Sequence, residues 1–221
     1  MKIILAVCLT LAVSAPLAAQ PRPSATPPPG PDEPFVSLRG FVLGAEQQFS
    51  AKTTFNAVFG KSAQPFFGGG AQLVFRHGVS IEVSGSQFKK TGQRAFVSNG
   101  EAFRLGIPLT ATITPIELSV AYRVPIEYHE TIIPYIGVGV GWYGYKETSG
   151  FTDAGDDVDT RKRGFLGNAG VEIRVHRWVG VALDAQYTHV PGILGEGGLS
   201  KDANEKDLGG VAARLRLVVG R

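Results

Sequence analysis

An all-β fold, an eight-stranded antiparallel barrel that crosses a membrane, follows from three features of this chain. The first is period-two alternation in the last third, from Gly164 to Val219. There Phe165, Ala169, Val171, Ile173 and Val175 are interleaved with Asn168, Glu172 and Arg174. Val179, Val181, Leu183, Ala185 and Tyr187 alternate with Asp184, Gln186 and Thr188, and Val211, Ala213, Leu215, Leu217 and Val219 with Arg214 and Arg216. Two is the strand period, so each run turns one face to an apolar medium and the other to a polar one. The polar faces hold Arg, Asp, Glu and Gln but no Lys, which suits a confined, hydrogen-bonded interior rather than a wet surface. The second feature is the alternation of minimal turns with long polar connections. The third is glycine scattered through the apolar segments, with no apolar run after residue 19 long enough for a membrane helix.

The chain opens with Met1-Lys2, an apolar stretch from Ile3 to Val13, and small residues up to Ala19 before Gln20. A basic start, a short apolar core and small residues before a polar one predict a secretory signal peptide over 1–19. Cys8, the single cysteine, falls inside it, and Val7 is wrong for a lipoprotein site; the mature chain therefore has no disulfide or thiol chemistry. Residues 20–34, QPRPSATPPPGPDEP, cannot pack a core and are expected as an extended periplasmic spacer. About 185 residues then remain, enough for one barrel domain over 35–221. The formal net charge of +3 is dispersed, with no basic-aromatic platform for nucleic acid.

Eight strands are expected over 35–47, 65–76, 78–97, 101–124, 131–146, 161–176, 178–190 and 208–220. The first is the hardest to orient, because FVSLRGFVLGAE is apolar on both faces. In the third, Val79, Ile81 and Val83 face out and Ser80, Glu82, Ser84 and Ser86 face in. In the fourth, Ile116, Leu118, Val120 and Tyr122 face out and Glu117, Ser119 and Arg123 face in; Pro115 predicts a bulge or a local break in pairing. In the fifth, Ile132, Ile136, Val138, Val140 and Trp142 face out, while Tyr135, Tyr143 and Tyr145 alternate inward with glycines. Trp142 and Tyr122 then lie near opposite strand ends, where interfacial aromatics belong. Arg76-His77-Gly78, His176-Arg177-Trp178 and 125–130 are the short connections; 48–64, 89–103, 147–160 and 191–207 are the long ones. Short periplasmic turns and long external loops are the outer-membrane pattern, and an even count puts both termini in the periplasm.

In this pattern, though without a sharp motif, residues 35–221 resemble the small eight-stranded outer-membrane barrels of the OmpA transmembrane-domain and OmpX type. The resemblance implies a monomer in a Gram-negative type envelope, in contact with outer-membrane lipid and inserted by the barrel-assembly machinery. Such barrels usually end in an aromatic residue, whereas this chain ends LRLVVGR, and no peptidoglycan-binding domain follows the last strand.

The candidate site is the set of inward charges Arg39, Glu82, Glu117, Glu172, Arg174, Asp184, Arg214 and Arg216. An eight-stranded barrel is just wide enough for side chains to fill it, so these charges must pair. Folding the last hairpin about residue 199 sets Asp184 opposite Arg214. Folding about Asn99-Gly100 sets Glu82 opposite Glu117, which would repel unless an arginine from across the lumen lies between them. A salt-bridged plug is the structural reading; a gated pore or a carboxyl pair of raised pKa is the functional one. The histidines His77, His129, His176 and His189 are scattered, so no metal site is expected; His189 alone lies at an outer strand end, without a serine at catalytic spacing. Asp153, Asp156, Asp157 and Asp159 make an acidic loop without EF-hand spacing, expected to be solvated rather than a calcium site. Phe55, Val58 and Phe59 have helical spacing, for a short helix capping the mouth or resting on the membrane. The reading is a non-enzymatic structural or surface-interaction barrel with no cofactor, its loops open to a surface ligand. The rivals are a narrow channel or carrier for small hydrophobic compounds, using lumen space left by glycines, and a lipid-modifying enzyme.

Overall fold

The alternation becomes the two faces of one closed sheet in the computed structural model, which describes residues 35–98, 101–124, 131–149, 158–195, 200 and 203–220. The strands are β1 (Val36–Phe49), β2 (Ala63–Phe75), β3 (Val79–Ser98), β4 (Glu101–Arg123), β5 (Ile132–Ser149), β6 (Val158–His176), β7 (Val179–His189) and β8 (Gly210–Gly220), with one helix, α1 (Lys52–Phe59), between β1 and β2. Each strand pairs with its sequence neighbours, and β8 pairs with β1 to close the barrel. Within the closed ring each strand has a hydrogen-bonding partner on both sides, the condition for crossing hydrocarbon, while the outer ends of β3, β4 and β6 extend past it with a partner on one side. The expected signal peptide and spacer, the Asn99-Gly100 turn, residues 125–130 with His129, and residues 150–157 of the acidic loop lie outside the described residues.

Facing follows the sequence parity. Val171 is 37% exposed and its neighbour Glu172 only 2%. On β1, the strand with two apolar faces, Leu38 and Val42 point outward while Arg39, Phe41 and Leu43 are buried. The outward apolar row of β5 runs from Ile132 to Trp142. Ten residue steps at about 3.3 Å, tilted by about 40°, give a band about 25 Å tall, the height of the hydrocarbon. Trp142 and Tyr122 both face outward, as interfacial aromatics should.

Two expectations are corrected. Residues 89–103 are not a long loop; β3 and β4 stay paired out to Ser98 and Glu101, forming a hairpin of 20- and 23-residue strands. Glu82 lies opposite Ser119, not Glu117, which is opposite Ser84. The cause is a bulge: between the pairs Ala95–Arg104 and Gln93–Pro108, β4 has two residues more than β3. Gly106 sits in the bulge at φ 72°, a backbone state that costs glycine little and a side chain more. At Pro115 the β3–β4 ladder is interrupted between Gly85–Ile116 and Phe88–Ile113, with the register unchanged on both sides. That is the local break its missing N–H predicts.

Helix α1 caps the mouth. Phe55 is fully buried and stacks on Phe49, ring centroids 3.9 Å apart. Gly60 ends the helix in the left-handed region, its N–H donating to Asn56 O at 2.9 Å. Ala57 and Val58 pack against Leu109, and Arg104 Nε donates to Ala57 O at 3.0 Å, so the long hairpin braces the helix.

Candidate functional site

The lumen is filled in two layers of opposite chemistry. In the half nearer the chain termini, four arginines meet four carboxylates. Arg39 holds Glu172 with both terminal nitrogens, Nη1 to Oε2 at 3.1 Å and Nη2 to Oε1 at 2.5 Å. Arg123 Nη1 donates to Glu172 Oε2 at 3.0 Å from the far side. Arg216 Nη1 donates to Glu82 Oε2 at 2.6 Å, its Nε lies 3.0 Å from Asp184 Oδ2, and it also donates to the Tyr135 hydroxyl. Arg214 Nε donates to Asp184 Oδ1 at 2.5 Å, and its Nη1 donates to Gln186 and stands 4.0 Å from Glu117 Oε2. Tyr135 donates to Asp184 at 2.7 Å, while Tyr143 and Gln186 donate to Glu117 at 2.7 and 3.0 Å. The Arg216 guanidinium also lies 5.3 and 5.2 Å from the Phe41 and Tyr135 ring centres. Four positive and four negative charges cancel and each buried ion has an opposite partner, while Arg123 Nη2, Arg214 Nη2 and Arg216 Nε are buried without a hydrogen bond.

The sequence-predicted residues sort as follows. Arg39, Glu82, Glu117, Glu172, Asp184, Arg214 and Arg216 share this layer. Asp184 faces Arg214 in register, as the hairpin symmetry requires. The facing Glu82–Glu117 pair does not form; instead Arg216 serves the first and Arg214 the second. Arg174 has the inward parity but is exposed, because β6 bulges between Arg174 and His176 at its open end, where the lumen meets water. Arg123, placed inward by pattern but not counted in the network, completes the Glu172 site; Tyr135, Tyr143 and Gln186 add the neutral donors. The signal for Arg123 and Gln186 was the parity shared with Glu117 and Asp184 on their own strands, and for the two tyrosines the inward alternation with the glycines of β5.

Toward the long connections the interior turns apolar. Phe49, Phe55, Phe66, Phe88, Ile113 and Val190 form one buried cluster, joined by Ile193, Leu194 and Leu208 from the β7–β8 connection. The cavity here measures about 10 Å³, between Phe49, Phe66, Ile113, Tyr143 and Leu208. That is room for a water at most, not for a solute. The space beside two glycines of β5 is occupied: a Cβ at Gly137 would come within 2.5 Å of Asn168 Oδ1, and one at Gly141 within 2.7 Å of the Tyr143 ring.

The cap is fastened by the β7–β8 connection. Ala51, before α1, has no capping side chain, and the amides of Thr53 and Thr54 donate instead to Glu205 Oε1 and Oε2, both at 2.8 Å. A carboxylate on two N-terminal helix amides is favoured by both the hydrogen bonds and the helix dipole. Burial pushes the Glu205 carboxyl up, but the Thr54 and Thr53 donors outweigh it and hold it below the ordinary 4.5. Asp207 secures the same connection, accepting from Val190 N at 2.7 Å, Gly209 N at 2.8 Å and His189 Nδ1 at 2.9 Å. His189 is thus a member of an exposed loop clamp, and among the described residues no hydroxyl is hydrogen-bonded to its ring. Among the described residues no cluster of three or more metal-capable side chains occurs.

A family model described as outer membrane protein beta-barrel domain matches residues 5–209. No curated protein matches the chain. Among solved structures it is similar to Neisserial surface protein A (12% identity, 85% of this chain and 96% of that one, TM-score 0.49). It is also similar to OprG of Pseudomonas aeruginosa (11%, 84% and 95%, 0.47) and to Ail of Yersinia pestis in complex with the heparin analogue sucrose octasulfate (13%, 84% and 96%, 0.46).

Proposed function

The chain belongs to the family of outer membrane protein β-barrel domains and resides in the outer membrane; from that premise we propose that it is a closed, non-enzymatic barrel with a structural or surface-interaction role. The observation that carries this reading is the double seal. A charge-balanced layer blocks one half of the lumen and an aromatic cluster under α1 blocks the other. Among the described residues the cavity between the two layers has room for a water at most. The barrel then acts as a rigid base on which α1, the β3–β4 hairpin and the β7–β8 connection are held together, by Arg104 on one side and Glu205 on the other. The partner for this surface is a ligand outside the cell, met by elements whose mutual positions are fixed before contact.

Liposome swelling tests the closed lumen. Vesicles loaded with purified protein and diluted into isosmotic arabinose should swell no faster than empty vesicles. Swelling that scales with the protein content would refute the reading.

A second reading, carriage of small hydrophobic compounds, draws support from one observation: Phe49, Phe66, Phe88 and Ile113 form an apolar cluster in the outer half of the lumen. It requires α1 to leave the mouth. A fluorescent apolar probe separates the two, since saturable uptake displaced by alkanes is expected only of a carrier.

A further inference from the structure

The outward face is apolar on every strand across the hydrocarbon, but it does not end alike all round the barrel. On β5 the outward row changes at Trp142: the next outward side chain after Gly144 is Lys146, which is exposed. On β6 the row that includes Phe165 continues with Arg163 and Arg161, both exposed. The ladder sets Arg163 opposite Trp142, Arg161 opposite Gly144 and Asp159 opposite Lys146. Arg161 and Arg163 are two residues apart on one face, about 7 Å, and Lys146 lies on the diagonal from Arg161 at a similar spacing. Gly144 between them has no side chain, so nothing stands between the two arginines and the lysine. None of the three makes an ion pair or side-chain hydrogen bond with another described residue. Asp159 is the one carboxylate on this outward stretch of β5 and β6 among the described residues.

These cations stand immediately beyond the apolar band, at the end of the barrel with the long connections. That is the headgroup level of the outer leaflet. A cation there is exposed to lipid rather than to bulk water, and its natural counter-ion is a lipid phosphate. The guanidinium forks of Arg161 and Arg163 suit a phosphate's paired oxygens, and the lysine adds a point charge. The feature is local: at the same end of β1 and β2 the outward side chains are Glu46, Pro65 and Phe67. Lys89 on β3 extends the basic side, opposite Thr112, which is in turn opposite Lys146.

We propose that the outward face of β5 and β6 beyond Trp142 is a binding site for the phosphate of an outer-leaflet glycolipid, held by Lys146, Arg161 and Arg163. The site lies on the outside of the barrel and does not depend on whether the lumen is closed. Occupancy fixes one side of the barrel to a particular lipid and sets the depth of the surface elements above it.

Native mass spectrometry of the detergent-solubilised full chain counts the lipid retained per barrel. The probes are bisphosphorylated lipid A and the same lipid enzymatically dephosphorylated. Wild type should retain the phosphorylated form selectively. Each cation near an anionic lipid surface is worth about fivefold, so Lys146→Gln, Arg161→Gln and Arg163→Gln together should weaken retention by about a hundredfold. All three side chains are exposed, so the variant should keep heat-modifiable mobility in gels, the check that it is folded. Arg76→Gln with Arg177→Gln, exposed at the opposite end, should change nothing. Equal retention by wild type and the triple variant would overturn the site. So would equal retention of the dephosphorylated lipid, or a dimer peak in place of the lipid adduct.

Discussion

Replacing Glu172 by Gln keeps the shape of the side chain and removes its charge. In the folded barrel Glu172 is 2% exposed and is, among the described residues, the one carboxylate ion-paired with both Arg39 and Arg123. The substitution therefore leaves two guanidinium groups buried side by side with one neutral amide between them, and the lumen layer goes from balanced to one excess positive charge. Breaking a buried ion pair by removing one partner costs about 3–5 kcal/mol, and here two pairs break at once. A simple lost hydrogen bond would cost about 1–3 kcal/mol. The upper range is expected, relieved only if water enters beside the arginines. Urea unfolding from phosphatidylcholine vesicles, followed by the fluorescence of the two tryptophans and by heat-modifiable gel mobility, measures the loss. Arg39→Met, Arg123→Met and Glu172→Leu combined should recover part of it, since no member of the triad is left charged and unpaired, although two arginines then face three carboxylates in the layer. A Glu172→Gln loss below about 1 kcal/mol, or a triple variant no better than the single, would refute the account of this layer.

Val171, next in sequence but facing lipid, should respond oppositely: Val171→Arg should cost about 2–4 kcal/mol in bilayers by the same unfolding assay, and little in short-chain detergent. Arg214→Ala and Asp184→Ala should each destabilise, and the double change should recover part of the loss; strictly additive effects would show that the 2.5 Å contact contributes nothing. Because the folded pKa of Glu205 is lowered, its stabilisation of α1 is complete above the ordinary 4.5 and fades as pH falls through the folded value. Amide exchange at Thr53 and Thr54 should therefore quicken in acid in wild type but be fast and pH-independent, beyond intrinsic exchange, in Glu205→Gln. The expected loss is about 0.3–1 kcal/mol, toward the lower end because the carboxylate is partly exposed. Deleting residues 20–34 while retaining 1–19 should leave folding and insertion unchanged, measured by the same gel shift.

The barrel was legible because two-residue periodicity is a direct consequence of lipid on one side and a polar lumen on the other. The facing of the strands follows from it, and the Asp184–Arg214 pairing from folding the last hairpin symmetrically. The Glu82–Glu117 error shows where such reasoning stops. A hairpin folded by symmetry carries its register faithfully only until the first bulge, and Gly106 gives no signal of a two-residue shift among so many glycines. Arg174 shows a second limit, since parity says which way a side chain points but not whether the lumen is still closed at that height. The aromatic layer was legible only in pieces. Phe49 and Phe66 break the polar half of the alternation near an outer strand end, and Phe88 and Ile113 midway along theirs, but nothing in one strand shows that four strands do so at the same level. Glu205 could not be found at all from sequence, because it caps a helix 151 and 152 residues away with no local motif.

The closed lumen is tested most directly by conductance across a planar bilayer, for wild type and for a variant in which residues 52–59 are replaced by a Gly-Ser linker. The replacement removes α1 and Phe55 but leaves the eight pairing strands and the six arginine–carboxylate pairs of the charged layer in place. Two independent seals predict that both proteins insert and that neither gives a steady ohmic current, with the charged layer alone sufficient in the second. A stable open conductance in the wild type would contradict the account outright, and one that appears only when α1 is removed would show that the charged layer is not a seal.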